Sequence, residues 1–599
     1  MLSLGRQFFL HRILSMKYLY TLAAGALAIL LTACGGENAA TSSPSPAGTS
    51  HYAASAQEAS AFLARATFGA NMEEIAKLRD GGTSYEQWIE NQFLIPPTYH
   101  MAWAQSHAKG AGGTPDLKED PEAWKRYSDT MDYLQQDVWW QIVTKAPDQL
   151  RQRVALALSE LFVISKYGPL ATMPDSRVSF YDLLVKNAFS NFETLLNEVT
   201  WHPAMGRYLS YLGNAKADPQ KGNHPDENYA REVMQLFTIG LYRLNPDGSF
   251  RLDSKGKKRA SYTQKDIREM ARVFTGLTDA NGFFFAKDGS TTHASRTQPM
   301  IAMETYHDKG EKKVLTETIE AGGSTKQDIR KALHLLFMHE NTAPFIARQL
   351  IQRLVTSNPS AGYIGRVAAK FIDNGNGVRG DMRAVIKAVL LDEEALKGAE
   401  TLPERFGKFR EPLLYITHLF RAYHAEDAVN TLRIYDDGPA YRYRSYHFHG
   451  TGMTKQEAPL EALTVFNYFT PDDGPWPLKR LGLVAPELEL YGKQGIDDLL
   501  MGLITKNGFI YRLFEITAEI DIETERSLIA QKKYDALLER LDILLTGGAM
   551  SEKTKQAIKN YLIAQEGAKE DNGDPVPPGK IARYAIGAVM TSPDYALQR

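Results

Sequence analysis

At 599 residues, with 43% hydrophobic and 23% charged side chains, the chain is long enough for more than one hydrophobic core and has an ordinary globular composition. Balanced totals of 69 Lys+Arg and 71 Asp+Glu leave a formal net charge of -2, which removes the electrostatic case for a nucleic-acid partner. The one cysteine, Cys34, excludes thiolate zinc sites, cysteine nucleophiles and disulfides from the rest of the chain.

Arg12 and Lys17 precede an apolar run from Leu19 to Leu31, which closes on Leu31-Thr32-Ala33-Cys34-Gly35. A basic flank, a short apolar stretch and small residues before a cysteine make a lipoprotein signal of residues 1–34, with Met1 or Met16 as its start. The run is shorter than the roughly 20 residues a bilayer crossing needs. Cys34 is then the lipidation point, and the membrane a partner through that anchor. Gly35 carries no aspartate-type retention cue, so the expectation is an exported protein held at the outer membrane of a Gram-negative cell. Residues 35–55 begin with a Gly/Ser/Pro/Ala/Thr stretch that reads as a flexible tether.

From about Ala56 the apolar spacing turns helical and stays so. Gln149 to Ser165 sets Leu150, Val154, Leu158 and Leu161 on one stripe, with Arg151, Arg153 and Glu160 off it. Thr263 and Asp266 form a capping box before Ile267, Met270, Ala271 and Phe274, and Gly276 ends that run. Further stripes run through Ile329–Phe337, Ala343–Val355, Met382–Leu391, Tyr534–Leu545 and Thr554–Ile563. Strand signals are local. Asn245-Pro246-Asp247-Gly248 is a turn between Tyr242–Leu244 and Phe250–Leu252, while Phe283–Phe285 and Tyr441–Phe448 are candidate hairpins. The predicted fold is mainly α, a multi-helix globular body with a few short β-hairpins. It divides into a helical region 56–400 and a mostly helical region 401–599 packed on it.

Several stretches in order resemble the bacterial exported proteins grouped as domain of unknown function 1800. They are AFLARATFGA from Ala61, RQRVALALSELFVIS from Arg151, WHPAMGRYLSYLGN from Trp201 and PDENYAREVMQLFTIGLYRLNPDGS from Pro225. YTQKDIREMARVFTGL from Tyr262, YHDKGEKKVL from Tyr306, PLEALTVFNYFTPDDGP from Pro459, GLVAPELEL from Gly482 and SPDYALQR from Ser592 follow. The resemblance covers nearly everything after the tether. It implies an exported, helical body and an association with a second exported family related to alkaline phosphatases and sulfatases.

Two polar constellations stand out. A helix opening at Pro225 offers Glu227 and Arg231, and Asn228 and Glu232, as pairs four residues apart. There Glu227 and Glu232 are candidate acid/base groups or metal ligands, and Arg231 orients an anion; the same pattern also suits a salt-bridge and capping network. His307-Asp308, with Lys312 behind, pairs an imidazole with a carboxylate in a turn, as a base or a metal ligand does. His202, in a His-Pro helix start, reads as a capping or packing residue. His224 and the His447/His449 pair are weaker ligand signals. No G-x-S-x-G, H-E-x-x-H or P-loop is present. Trp139, Trp140 and Trp476 read as core, and Asp373–Gly377 as a turn.

Two functions follow as expectations. One is a non-catalytic partner or assembly factor for another exported protein, the phosphatase/sulfatase-like one being the candidate. The other is a metal-assisted hydrolase in which Glu227, Glu232, His307 and Asp308 meet around a divalent metal.

Overall fold

The computed structural model describes residues 50–108, 135, 138–285, 295–427, 457–491 and 518–599. Cys34 with its signal, most of the tether, the Tyr441–Phe448 stretch, His447 and His449 lie outside the described residues.

The body is mainly α, as its periodicity predicts. The Met382–Leu391 helix shows why these segments coil. Asp381 caps it by accepting from the Arg383 amide, and Met382, Val385, Ile386, Val389 and Leu390 all land on the buried side. The Gln264–Val273 helix opens on the expected Thr263/Asp266 capping box and buries Ile267, Met270, Ala271 and Val273. Gly276, two residues beyond its C-cap, sits at φ +82°, and a Cβ there would lie 2.9 Å from the His307 amide nitrogen and the Met303 carbonyl oxygen. Only glycine fits that close approach.

Strands are short. Among the described residues they form four two-stranded antiparallel sheets. Lys312–Val314 pairs with Glu317–Ile319, and Lys408–Phe409 pairs with Leu597–Gln598, which ties the end of the chain to the middle of the fold. The Asn245–Gly248 turn forms as expected and continues into a second turn. The limbs carrying Arg243, Arg251 and Arg259 are hydrogen-bonded to one another in a small meander.

Three expectations are corrected. The helix placed over 149–165 ends at Ser159, because Glu160 and the residues after it turn away. Phe283–Phe285 is a single 3-10 turn rather than a hairpin. Trp476 is 68% exposed rather than core, although Trp139 and Trp140 are buried.

One large cluster of buried side chains extends from Ala53 to Tyr595, with a small satellite of Ala104, Val138, Ile142 and Ala146. The Gln149–Ser159 helix runs through the large cluster and buries every residue, including Arg151, Gln152 and Arg153. Its apolar stripe faces one set of neighbours, and its arginines face another buried layer rather than solvent. Burying charge costs several kcal/mol unless it is paired, so the fold has to supply partners there.

Candidate active site

The two constellations expected to meet are held apart by the Gln264–Val273 helix. The helix expected at Pro225 begins at Asn228, with Glu227 as its N-cap, because Asp226 folds back to accept from the Asn228 amide at 2.7 Å. Glu227 accepts from Arg231 at 3.3 Å and from Gln264 at 2.6 Å, at the N-terminal end of the dividing helix. Asn228 reaches Ser210 at 3.4 Å. Glu232 is buried beside Arg231 and Tyr262, with Oε2 unpartnered, and burial raises its pKa above the usual carboxylate range.

His307 and Asp308 attach to the other end. Asp308 takes a two-pronged bond from Arg272, at 2.8 and 3.1 Å. Burial pushes its pKa up, but the Arg272 and Gly310 donors outweigh that and hold it down. Gln264 and Arg272 are eight residues apart, about 12 Å along a helix axis. His307 therefore does not share a centre with Glu227 or Glu232. It is fully buried, with Nδ1 2.9 Å from the Thr275 carbonyl and Nε2 3.2 Å from Asp328. Lys312, also fully buried, donates to Asp328 at 2.7 Å and to the Gly310 carbonyl at 3.0 Å. This His-Asp-Lys knot joins the Lys312–Ile319 hairpin to the Thr325–Met338 helix. His202 caps the short Pro203–Tyr208 helix, accepting from the Ala204 amide at 3.1 Å. His224 is exposed.

The polar centre that the fold builds lies elsewhere, where the buried arginine helix ends. Glu160 caps its C-terminus and is only 4% exposed. Arg353, from the Thr342–Leu354 helix, places Nη2 3.1 Å from the Glu160 carbonyl and Nε 3.3 Å from its carboxylate. Arg153 donates to the Arg353 carbonyl at 2.6 Å, and Lys408 reaches the same oxygen at 2.9 Å. Lys408 also lies 2.5 Å from Glu411, the N-cap of the Pro412–Ala422 helix, and 3.5 Å from Glu487. Glu457 accepts from the Leu413 amide at 3.1 Å, and Ser357 donates to Glu487 at 3.1 Å.

Glu160, Glu411 and Glu457 present carboxylate oxygens within 4.8 Å of one another, all buried. Among the described residues, no group donates with hydrogen-bond geometry to either oxygen of Glu160, to Oε2 of Glu411 or to Oε1 of Glu457, the Arg353 contact with Glu160 being an ion pair without that alignment. Acceptor faces acceptor, an arrangement that a proton or a cation between them relieves. The charges decide which. Arg153, Arg353 and Lys408 set three positive charges against the four carboxylates of Glu160, Glu411, Glu457 and Glu487. One proton closes that balance, whereas a divalent ion would overshoot it by one charge in a dry setting.

The proton affinities divide accordingly. Burial, and then the neighbouring Glu411, push Glu160 up to about 8, and the same causes raise Glu457 strongly. Burial also acts on Glu411, but Lys408, Arg153 and a shared hydrogen bond with Glu160 prevail and hold it below its ordinary value. The cluster thus carries a protonated carboxyl next to an ionised one.

Glu160 and Glu457 also line a cleft with Ser159, Leu460, Asn467 and Tyr468. It is narrow and partly open to solvent, with space beside the carboxyls for about one water molecule, so a substrate presents its reacting bond at the mouth. Asn467 Nδ2 lacks a partner there. Two residues of the lining, Leu460 at φ +62° and Asn467 at φ +67°, hold left-handed backbone without being glycine. Such conformations cost of order 1–3 kcal/mol and gather at functional sites. The sequence does carry a signal for this centre: Lys408-Phe409-Arg410-Glu411 runs straight into the apolar stretch from Leu413, and Arg151 and Arg153 interrupt an apolar helix.

The model of the family described as "Protein of unknown function (DUF1800)" matches residues 61–597. No curated protein and no solved structure matches the chain.

Proposed function

The chain belongs to the DUF1800 family, and on that footing we propose that it is an exported, lipid-anchored hydrolase whose acid and base are carboxyls of the Glu160/Glu411/Glu457 cluster. The observation that carries this reading is three buried carboxyls meeting acceptor to acceptor, two of which, Glu160 and Glu457, line a cleft, with one more negative than positive charge around them. Carboxyls whose environments separate their proton affinities are a donor and an acceptor at the same pH. Glu160, with Glu457 beside it, supplies a proton to the departing group as its bond breaks. The proton of the water whose oxygen bonds to the reacting centre passes to Glu457, which lines the cleft and hands its own proton on to the ionised Glu411 behind it. Asn467 Nδ2 is a donor for charge developing on the substrate oxygen.

The test is turnover of a panel of small chromogenic esters, phosphate esters, glycosides and peptide amides by the purified full chain and by Glu160→Gln. Hydrolysis of one class, lost in Glu160→Gln while the melting temperature holds, supports the assignment. Absence of turnover across the panel, or equal turnover by both proteins, overturns it.

A second reading, a docking partner for another exported protein, is favoured by one observation. Leu463, Phe466, Trp476 and Leu481 are exposed on the segment that forms the outer wall of the cleft. Capture of a phosphatase/sulfatase-like exported protein, lost on Trp476→Ala, supports that reading in place of the first.

A further inference from the structure

A chain with an overall charge of -2 concentrates positive charge at one place. Residues 251–259, Arg-Leu-Asp-Ser-Lys-Gly-Lys-Lys-Arg, carry five cations and one anion. Their backbone is well fixed. Arg251 donates to the Arg243 carbonyl at 2.8 Å, Arg243 to Arg259 at 2.8 Å and Arg259 to Arg251 at 3.0 Å, so the three limbs close on one another. Asp253 is spent on the turn itself, accepting from the Lys255 and Lys257 amides at 2.8 and 2.9 Å. Glu340 pairs with Arg251 at 3.0 Å and Arg243 at 3.7 Å, which pins the base of the meander to the body.

The tip has no such neutralisation. Lys255, Lys257, Lys258 and Arg259 are all exposed, and none has a carboxylate partner among the described residues. Lys258 lies 3.7 Å from the centre of the Phe250 ring, a contact that holds its ammonium without cancelling its charge. Apolar residues flank them: Leu252 is 55% exposed, and Leu241 and Tyr242 are exposed at the base.

We propose that this meander is a contact surface for an anionic phospholipid bilayer, with the cations on the headgroups and Leu252 at the acyl boundary. Charge complementarity chooses an anionic surface, and the adjoining exposed apolar side chains choose a bilayer over a fully solvated polyanion. A preformed tip adds little ordering cost on contact.

The experiment is co-flotation of the full chain with phosphatidylglycerol and with phosphatidylcholine vesicles. The apolar N-terminal run contributes equally to both, so the preference between them is the readout. The wild type favours phosphatidylglycerol, and each of Lys255→Gln, Lys257→Gln and Arg259→Gln reduces that preference about fivefold. Leu252→Ser weakens binding to phosphatidylglycerol with the melting temperature unchanged. Equal binding to the two vesicles, or a preference that survives the triple glutamine variant, overturns the proposal. So does the combination of tight heparin binding through the same lysines with vesicle binding indifferent to Leu252→Ser. None of these outcomes depends on hydrolysis.

Discussion

Replacing Glu160 by Gln keeps the shape of the side chain and a donor toward Glu411 but removes the group that holds the proton. In the folded chain the Glu160 carboxyl is raised from 4.5 to about 8. Between those two values the native state binds more protons than the unfolded state, so stability falls as pH rises through this window. Each tenfold in proton affinity is worth about 1.4 kcal/mol, which sets a ceiling of about 5 kcal/mol for the loss. Glu411 and Glu457 share the same titration, and sharing brings the portion removed with Glu160 to roughly 2–4 kcal/mol. The expected result is therefore a divergence of the two pH profiles. Urea unfolding at pH 5 gives the variant and the wild type similar stabilities, and at pH 8.5 the variant is the more stable by about that amount. Parallel pH profiles would refute the reasoning, because they would mean that Glu160 ionises alike in the folded and unfolded chains.

Lys312→Met should destabilise the fold by about 3–5 kcal/mol in denaturant titration, since it leaves the buried Asp328 facing His307 alone. Burial raises the Asp328 pKa but its His307 and Lys312 bonds lower it further, so its contribution is present above about pH 4 and fades as acid protonates it. The variant should then show a flatter acid limb than the wild type. Gly276→Ala should cost at least about 2 kcal/mol by the same measurement, from the left-handed φ and the two backbone atoms its Cβ would meet. Cys34→Ser should abolish incorporation of labelled fatty acid in cells, and label retained on the serine variant would remove the lipid-anchor reading.

The elements readable from sequence were those whose determinants are local. The Thr263/Asp266 box, the Asn245–Gly248 turn and the spacing of Met382, Val385, Ile386, Val389 and Leu390 each specify their structure within a few residues. The helix expected from Pro225 opens three residues later, at Asn228, because Asp226 folds its carboxylate onto the Asn228 amide in a turn that precedes the helix. The carboxylate centre was harder to see, because its parts lie hundreds of residues apart and meet only through packing. Arg153 and Glu160 read as the polar side of an amphipathic helix, which is the usual fate of charge off an apolar stripe. What tells the two cases apart is a second apolar layer covering that side, and that layer is built by the Thr342–Leu354 and Pro412–Ala422 helices. The Glu227/His307 pairing failed for the converse reason. Both stretches are rich in polar groups, but each spends them on holding one end of the same helix.

The Glu160/Glu411/Glu457 cluster keeps a proton at neutral pH, which infrared spectroscopy of the carboxyl stretch detects without a substrate. At pH 7 the wild type should show a protonated-carboxyl band that bleaches only as the pH passes about 8, and Glu160→Gln should lose part of it. A spectrum in which every carboxyl is ionised by pH 6, or a neutral-pH band that Glu160→Gln leaves untouched, would contradict the account.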